Sequence, residues 1–210
     1  MPRCVKLADW RSSTDANGEM LVCDYLTVKG LSVQRFDKVS MRRSRTPDFR
    51  VLAGHQLAFY CEVKTAQEDD WLERQLGSAP PGTLVGGLRR DSTYNRISSY
   101  VHGAAGQFDA VNPECDYPNV LAIVNNDSDA GLPDLLAVLT GNAYTNSGPV
   151  RMFGTCSDGR IREEKRRIHL YLWFDPAKPE PFKVWSQSPA GHHAVLCGHF
   201  GVDPASIMQI

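Results

Sequence analysis

Apolar and polar positions alternate most clearly over Leu57–Lys64. Leu57, Phe59, Cys61 and Val63 share one parity, and Ala58, Tyr60, Glu62 and Lys64 share the other. Successive side chains of an extended chain point to opposite faces. The run therefore predicts a strand with one apolar face and one mixed face that ends on an acid and a base. A second β-rich run, Phe49–Ala53, precedes it across a short link containing Gly54, and the two predict a β-hairpin. With Gly54-His55-Gln56 as the link, antiparallel register sets Asp48 directly opposite Glu62. Directly opposed Cβ atoms lie about 5 Å apart, and two like charges that close need something positive between them. A divalent cation would fit there, and Lys64 lies two residues further along the same face.

The same reading extends along the chain. Met20, Leu21, Cys23, Leu26 and Val28 give a partly helical pattern over Asp15–Lys29, stopped by Gly30, with Ser12, Ser13, Thr14 and Asp15 as cap candidates. Leu31–Phe36 predicts a first strand. Gln67–Gln75 predicts a short acidic helix, and the Gly- and Pro-rich Gly77–Gly87 a loop placed as a flap over the charged strand end. Asp91-Ser92-Thr93 opens a helix to about Val111, with Tyr94, Ile97, Tyr100, Val101, Ala104, Ala105 and Phe108 on its buried side. The small residues Gly103–Gly106 predict close packing on a sheet. Asn119–Val124 is continuously apolar and predicts a buried central strand with a parallel neighbour. Pro133–Leu139 reads as a short helix or extended piece, Thr140–Gly148 as loop, and Val150–Phe153 as a short edge strand. Ile168–Phe174 and Phe182–Trp185 predict further strands, and Ala190–Ile210 a short helix. The expected fold is α/β: a mixed sheet flanked by helices in one domain, with a core over about 15–126 and extra strands in a C-terminal extension over about 127–210.

Composition narrows the function classes. The hydrophobic share of 42% and charged share of 22% are ordinary for a globular chain. A net charge of −1 argues against nucleic-acid binding by bulk charge but leaves a local basic groove open. Arg42, Arg43 and Arg45 are the local candidate for phosphate contacts, against the alternative of a solvated loop. The six cysteines are scattered without a C-x-x-C pair, which points to a reducing compartment and no disulfide framework. Met1–Asp9 has no apolar signal region and no run is long enough to span a bilayer, so a cytoplasmic protein without a membrane partner is expected. His193 and Cys197 have the i, i+4 spacing of a metal pair, but no full tetrahedral set accompanies them, and polar tail residues near a buried cysteine are the stronger reading. Tyr171, Trp173 and Trp185 read as core and not as base-stacking platforms.

Pro47-Asp48, thirteen further residues and then Glu62-Val63-Lys64 form a pattern that resembles the PD-(D/E)xK phosphodiesterase superfamily, the restriction-endonuclease-like nucleases. The resemblance covers roughly Asp15 to Asn126. A second formal match, Pro133-Asp134 with Glu163-Glu164-Lys165, lacks the hairpin and lies in a solvated run before a strand. The resemblance implies an α-β-β-β-α-β core. It implies that Asp48, Glu62 and the main-chain carbonyl of Val63 hold Mg²⁺, with Mn²⁺ as an alternative, and that Lys64 is the catalytic lysine. Glu19 is the matching candidate for an additional carboxylate from the first helix, against a plain helix-dipole role. Gln107, with His102 second, matches the polar residue of the helix after the third strand. The implied function is a metal-dependent nuclease, expected to be a DNA endonuclease. The alternatives are a metal-dependent RNase and a non-catalytic nucleic-acid-binding or assembly subunit. The competing reading of Asp48, Glu62 and Lys64 is a solvated cross-strand salt bridge. No appended helix-turn-helix or zinc finger is visible, so specificity is expected from loops, a homodimer or a partner subunit.

Overall fold

A computed structural model of the chain describes residues 15–36, 45–67, 76–84, 90–128, 130–152, 161–175 and 178–210. The expected acidic helix, the cap candidates at 12–14, and Arg42 and Arg43 lie outside these residues. Helix α1 (Asp15–Val28) leads into strands β1 (Ser32–Arg35), β2 (Phe49–Ala53) and β3 (Gln56–Gln67). Helix α2 (Arg90–Asp109) crosses over to β4 (Asn119–Asn126), followed by α3 (Leu132–Thr140). Strands β5 (Asn142–Thr145) and β6 (Gly148–Arg151) form a separate hairpin, correcting the loop expected over 140–148. The short α4 (Arg162–Lys165), β7 (Leu170–Phe174), β8 (Phe182–Trp185) and α5 (Ala190–Phe200) complete the order.

Among the described residues, one mixed sheet runs β1-β2-β3-β4-β7-β8. The first three strands form an antiparallel meander, β4 is parallel to both β3 and β7, and β8 returns antiparallel. The C-terminal strands thus extend the sheet as expected. Helices cover both faces. Val22 and Leu26 of α1 and Leu196, Cys197 and Phe200 of α5 pack on one side with Phe59, Cys61, Val63, Val120, Ala122 and Val124. Residues of α2 and α3 pack on the other side with Leu121, Ile123, Tyr171 and Trp173. This double cover explains why β4 is apolar without alternation: both parities are buried. Its first residue, Asn119, is buried but fully engaged. Its amide N–H donates to His169 Nδ1 at 2.8 Å, and its side chain bonds Asn112 and the carbonyl of Arg167. An imidazole that accepts at Nδ1 must be neutral there. Burial, and then the charges of neighbouring histidines, lowers the His169 pKa to about 3.

The hairpin turns on two residues, Gly54 and His55, rather than on the three expected. Gly54 has φ of 62°, which glycine adopts without steric cost. The register shifts between Val51 and Leu52, so Leu52 pairs with Leu57 while Val51 pairs with Phe59. Ala58 is the extra residue of a β-bulge, and it joins Phe59 in the apolar core instead of lying on the acid face. The bulge offsets the shorter turn. Phe49 still opposes Cys61, and one residue further on Asp48 and Glu62 lie side by side, the Asp48 amide donating to Glu62.

The glycines that permit close packing are not those expected. At Gly103 and Gly106 of α2 an added Cβ would meet nothing within 4 Å. At Gly18 of α1 it would lie 2.3 Å from Thr65 Oγ1 in β3. The missing side chain at Gly18 is what lets the first helix lie against the strand that carries Glu62. Gly18→Ala is expected to destabilise the fold by about 1–3 kcal/mol through overpacking. Gly103→Ala is expected to stabilise it by about 0.5–1 kcal/mol through helix propensity. Urea midpoints of the two variants measure both effects, and equal shifts would refute the contact.

Candidate active site

The site is built where β2 begins and β3 passes its midpoint. Asp48 and Glu62 are not merely opposed; each reaches across to the other strand's backbone. Glu62 Oε2 accepts from the Asp48 amide at 3.0 Å, and Asp48 Oδ2 accepts from the Val63 amide at 2.8 Å. Lys64, two residues along the same face, donates from Nζ to Glu62 Oε1 at 2.5 Å and to Gln107 Oε1 at 3.3 Å. Gln107 is held in turn, its Nε2 donating to the main-chain carbonyl of Thr46 at 3.0 Å. Three of the five expected site residues, Asp48, Glu62 and Lys64, therefore meet as the hairpin register requires. Gln107 joins them from α2.

Burial separates this cluster from a solvated salt bridge. The Glu62 side chain is 2% exposed and that of Lys64 25%. Burial, and next the charge of Asp48, raises the Glu62 pKa from 4.5 to about 7, while Lys64 and Gln107 pull it back. Cys61, between the two carboxylates in sequence, is fully buried and its thiol is raised well above 9.0. It is a core side chain on the opposite face and not a nucleophile.

The remaining candidates divide. Glu19 forms an ion pair with Arg35 at the β1 end nearest Asp48, while the partners of Glu62 are Asp48, Lys64 and Gln107. His102 is exposed and pairs with Glu164 at 2.9 Å. Arg45 is exposed and lines a groove of about 690 Å³ together with Arg166 and Arg167. Among the described residues that line it, Glu163 pairs with Arg166 and Asp109 with Arg167, so those two arginines are offset by acids. Of the loop expected over Gly77–Gly87, residues 77–84 are described; they are largely exposed, and 77–78 belong to a short helical turn instead of loop.

The second formal motif is dispersed into structural roles. Asp134 accepts from the Gly131 amide at the start of α3, Glu163 pairs with Arg166, and Lys165 donates to the carbonyl of Leu139. The tail cysteine and histidine are likewise accounted for. Cys197 is core, and His193 donates to the Ser186 carbonyl while accepting from Gln209. Cys23, Cys61, Cys115 and Cys197 are free. Among the described residues, no three His, Cys, Asp or Glu side chains gather as a metal site, and no helix is long and apolar enough to cross a membrane. The brace from Thr46 escaped the sequence reading because a main-chain carbonyl leaves no signal in residue type.

The raised Glu62 carboxyl gives a signed pH dependence. Its folded pKa of about 7 exceeds the ordinary 4.5, so the folded chain holds the proton more tightly than the unfolded chain does. The resulting stability is complete below pH 4.5 and is lost as pH rises through 7. At pH 8 the ionised group costs on the order of 3 kcal/mol, at about 1.4 kcal/mol per tenfold change in proton affinity. Glu62→Gln is expected to raise stability at pH 8 by up to that amount and to change it little at pH 4.5. Urea denaturation at the two pH values measures this, and equal effects at both would remove the buried charge as the cause.

A scan against protein-family models, a search of curated proteins and a search of solved structures find no match to this chain.

Proposed function

We propose that the chain is a divalent-cation-dependent nuclease that hydrolyses DNA phosphodiester bonds on a restriction-endonuclease-like core. The observation that carries this reading is the buried Glu62 carboxylate, set opposite Asp48 and held by a lysine that α2 positions. A surface salt bridge needs no burial and contributes little stability. Here a charge is kept out of water at a cost, next to a second carboxylate, which is the pattern of a site tuned for chemistry. Among the described residues, the order of the longer elements, α1-β1-β2-β3-α2-β4, is in keeping with the α-β-β-β-α-β core that the sequence resemblance implies.

The donor chemistry fits a hard cation. Asp48 and Glu62 offer carboxylate oxygens from adjacent strands, and the Val63 carbonyl would supply a third oxygen without a third side chain. Bound there, Mg²⁺ or Mn²⁺ would polarise the phosphoryl group and acidify the attacking water. The chain's own contribution is orientation and charge. The Val63 amide fixes Asp48, and the Asp48 amide fixes Glu62. Gln107, braced on Thr46, keeps the Lys64 ammonium beside the carboxylates, where it can neutralise charge that develops on the phosphoryl oxygens. Glu62 must lose its proton before it can act as a ligand, so cation affinity rises with pH through about 7.

Asp48→Ala is expected to abolish Mg²⁺-dependent cleavage of DNA, assayed on both single-stranded and plasmid substrates. Lys64→Ala is expected to reduce it about 100- to 1,000-fold, the scale of losing one charge-stabilising group. Both should keep the wild-type circular-dichroism spectrum. Full activity in both variants overturns the reading. Independently of turnover, Mg²⁺ or Mn²⁺ should raise the melting temperature of the wild type more at pH 8 than at pH 5.5, and should fail to do so for Asp48→Ala. No cation effect at either pH counts against a metal site.

A further inference from the structure

Aromatic side chains gather on the same face of the sheet as Glu62, one step before it. Tyr60 precedes Glu62 by two residues in β3, about 7 Å along the strand. Its amide donates to the Pro118 carbonyl at 3.0 Å, which seats Tyr117 beside it. The Tyr60 and Tyr117 rings meet edge to face with centroids 6.3 Å apart. Phe36, just past β1, stacks on Tyr60 at 6.1 Å, and the Arg50 guanidinium lies 5.4 Å from the centre of the Phe36 ring. Arg50 is the cross-strand partner of both Tyr60 and Gln34, so all three project from this one face.

The cluster is not sealed as a core. Tyr117 is 42% exposed, Arg50 and Gln34 are exposed, and Tyr60 and Phe36 are half-buried. An exposed cation beside one exposed ring and two half-buried ones complements a ligand that carries flat apolar surfaces on an anionic backbone. Duplex DNA hides its base faces inside the stack, whereas a single strand presents them.

We propose that Phe36, Tyr60 and Tyr117, with Arg50, form a platform for the unpaired bases of single-stranded DNA, leading its backbone to Asp48 and Glu62. The assignment rests on the nuclease reading, since that reading gives the platform its use. It names the substrate as an unpaired strand, or a duplex with a frayed or flapped end, and it makes Tyr117 a specificity determinant outside the carboxylate cluster. Stacking is tolerant of base identity, so binding is expected to show little sequence preference and to weaken with salt.

The test is fluorescence anisotropy in EDTA, where hydrolysis plays no part. The probes are labelled oligo-dT of about 12 nucleotides, a blunt hairpin duplex of equal length, and oligo-U. Oligo-dT is expected to bind at least tenfold more tightly than the duplex. Tyr117→Ala is expected to weaken oligo-dT binding about tenfold, with Tyr117→Phe near wild type and the urea midpoint unchanged. Asp48→Ala should retain the single-strand preference. Equal affinity for duplex and single strand, or no effect of Tyr117→Ala, overturns the platform, and tighter binding of oligo-U overturns its assignment to DNA. Tyr117-dependent binding of oligo-dT without cleavage of any DNA would overturn the nuclease reading and leave the platform standing. Cleavage of blunt duplex that Tyr117→Ala does not change would do the reverse.

Discussion

Glu62 is withdrawn from water while it remains able to ionise, and the geometry around it answers that cost. A buried carboxylate is tolerable only when its oxygens are hydrogen-bonded and a positive charge is near. Asp48 supplies a main-chain donor and Lys64 supplies the charge. Neither can do so unless the β2–β3 register is fixed, because a one-residue slip would move every side chain of one strand to the opposite face. The two-residue turn at Gly54 and the bulge at Ala58 are coupled for this reason. Either alone would displace Asp48 from Glu62, and together they cancel.

The rest of the architecture supports that short stretch from both sides. On one face, the absence of a side chain at Gly18 lets α1 rest on Thr65, so the strand beyond Lys64 is clamped. On the other face, α2 delivers Gln107, and its Tyr100 hydroxyl donates to the Thr65 carbonyl at 3.2 Å. The parallel partner β4 is pinned at its start by the Asn119 network, which needs a neutral His169. A polar network with every member satisfied rigidifies what it joins. Here it joins the origins of β4 and β7, and β4 sets the height of β3 and hence of Glu62.

Much of this was legible from residue order. Alternation over Phe59–Val63 is strict, so the faces of Glu62 and Lys64 followed from parity alone, and a continuous apolar run announced β4. What was not legible depended on contacts between distant segments. Ala58 changed faces because a bulge is a property of the strand pair and not of either strand. Gly103 and Gly106 suggested a tight helix–sheet contact, yet nothing lies over them, while the real close approach at Gly18 sits in an unremarkable stretch of α1. Strand β6 overlaps the edge strand expected over Val150–Phe153, but its partner β5 was missed because Asn142–Thr145 has little apolar alternation and the turn residues around Gly148 dominate the segment. Phe36, Tyr60 and Tyr117 come from three separate segments and become a cluster only when the sheet forms.

The two motif matches in this chain show why spacing alone discriminates poorly. Asp134, Glu163 and Lys165 have the residue types of the first match, but each is satisfied by a neighbour in a way that any helix terminus or surface turn would provide. Their charges face water or a main-chain group, and nothing in their arrangement opposes folding. Asp48, Glu62 and Lys64 are different in kind. Two carboxylates are brought together, one is buried, and the lysine only partly offsets the cost, as the raised pKa of Glu62 records. Selection for stability alone has simpler solutions at that position, a buried neutral side chain among them. A local arrangement that opposes the stability of its own fold points to a requirement other than folding, and a hard cation between the carboxylates would relieve the strain that the lysine leaves.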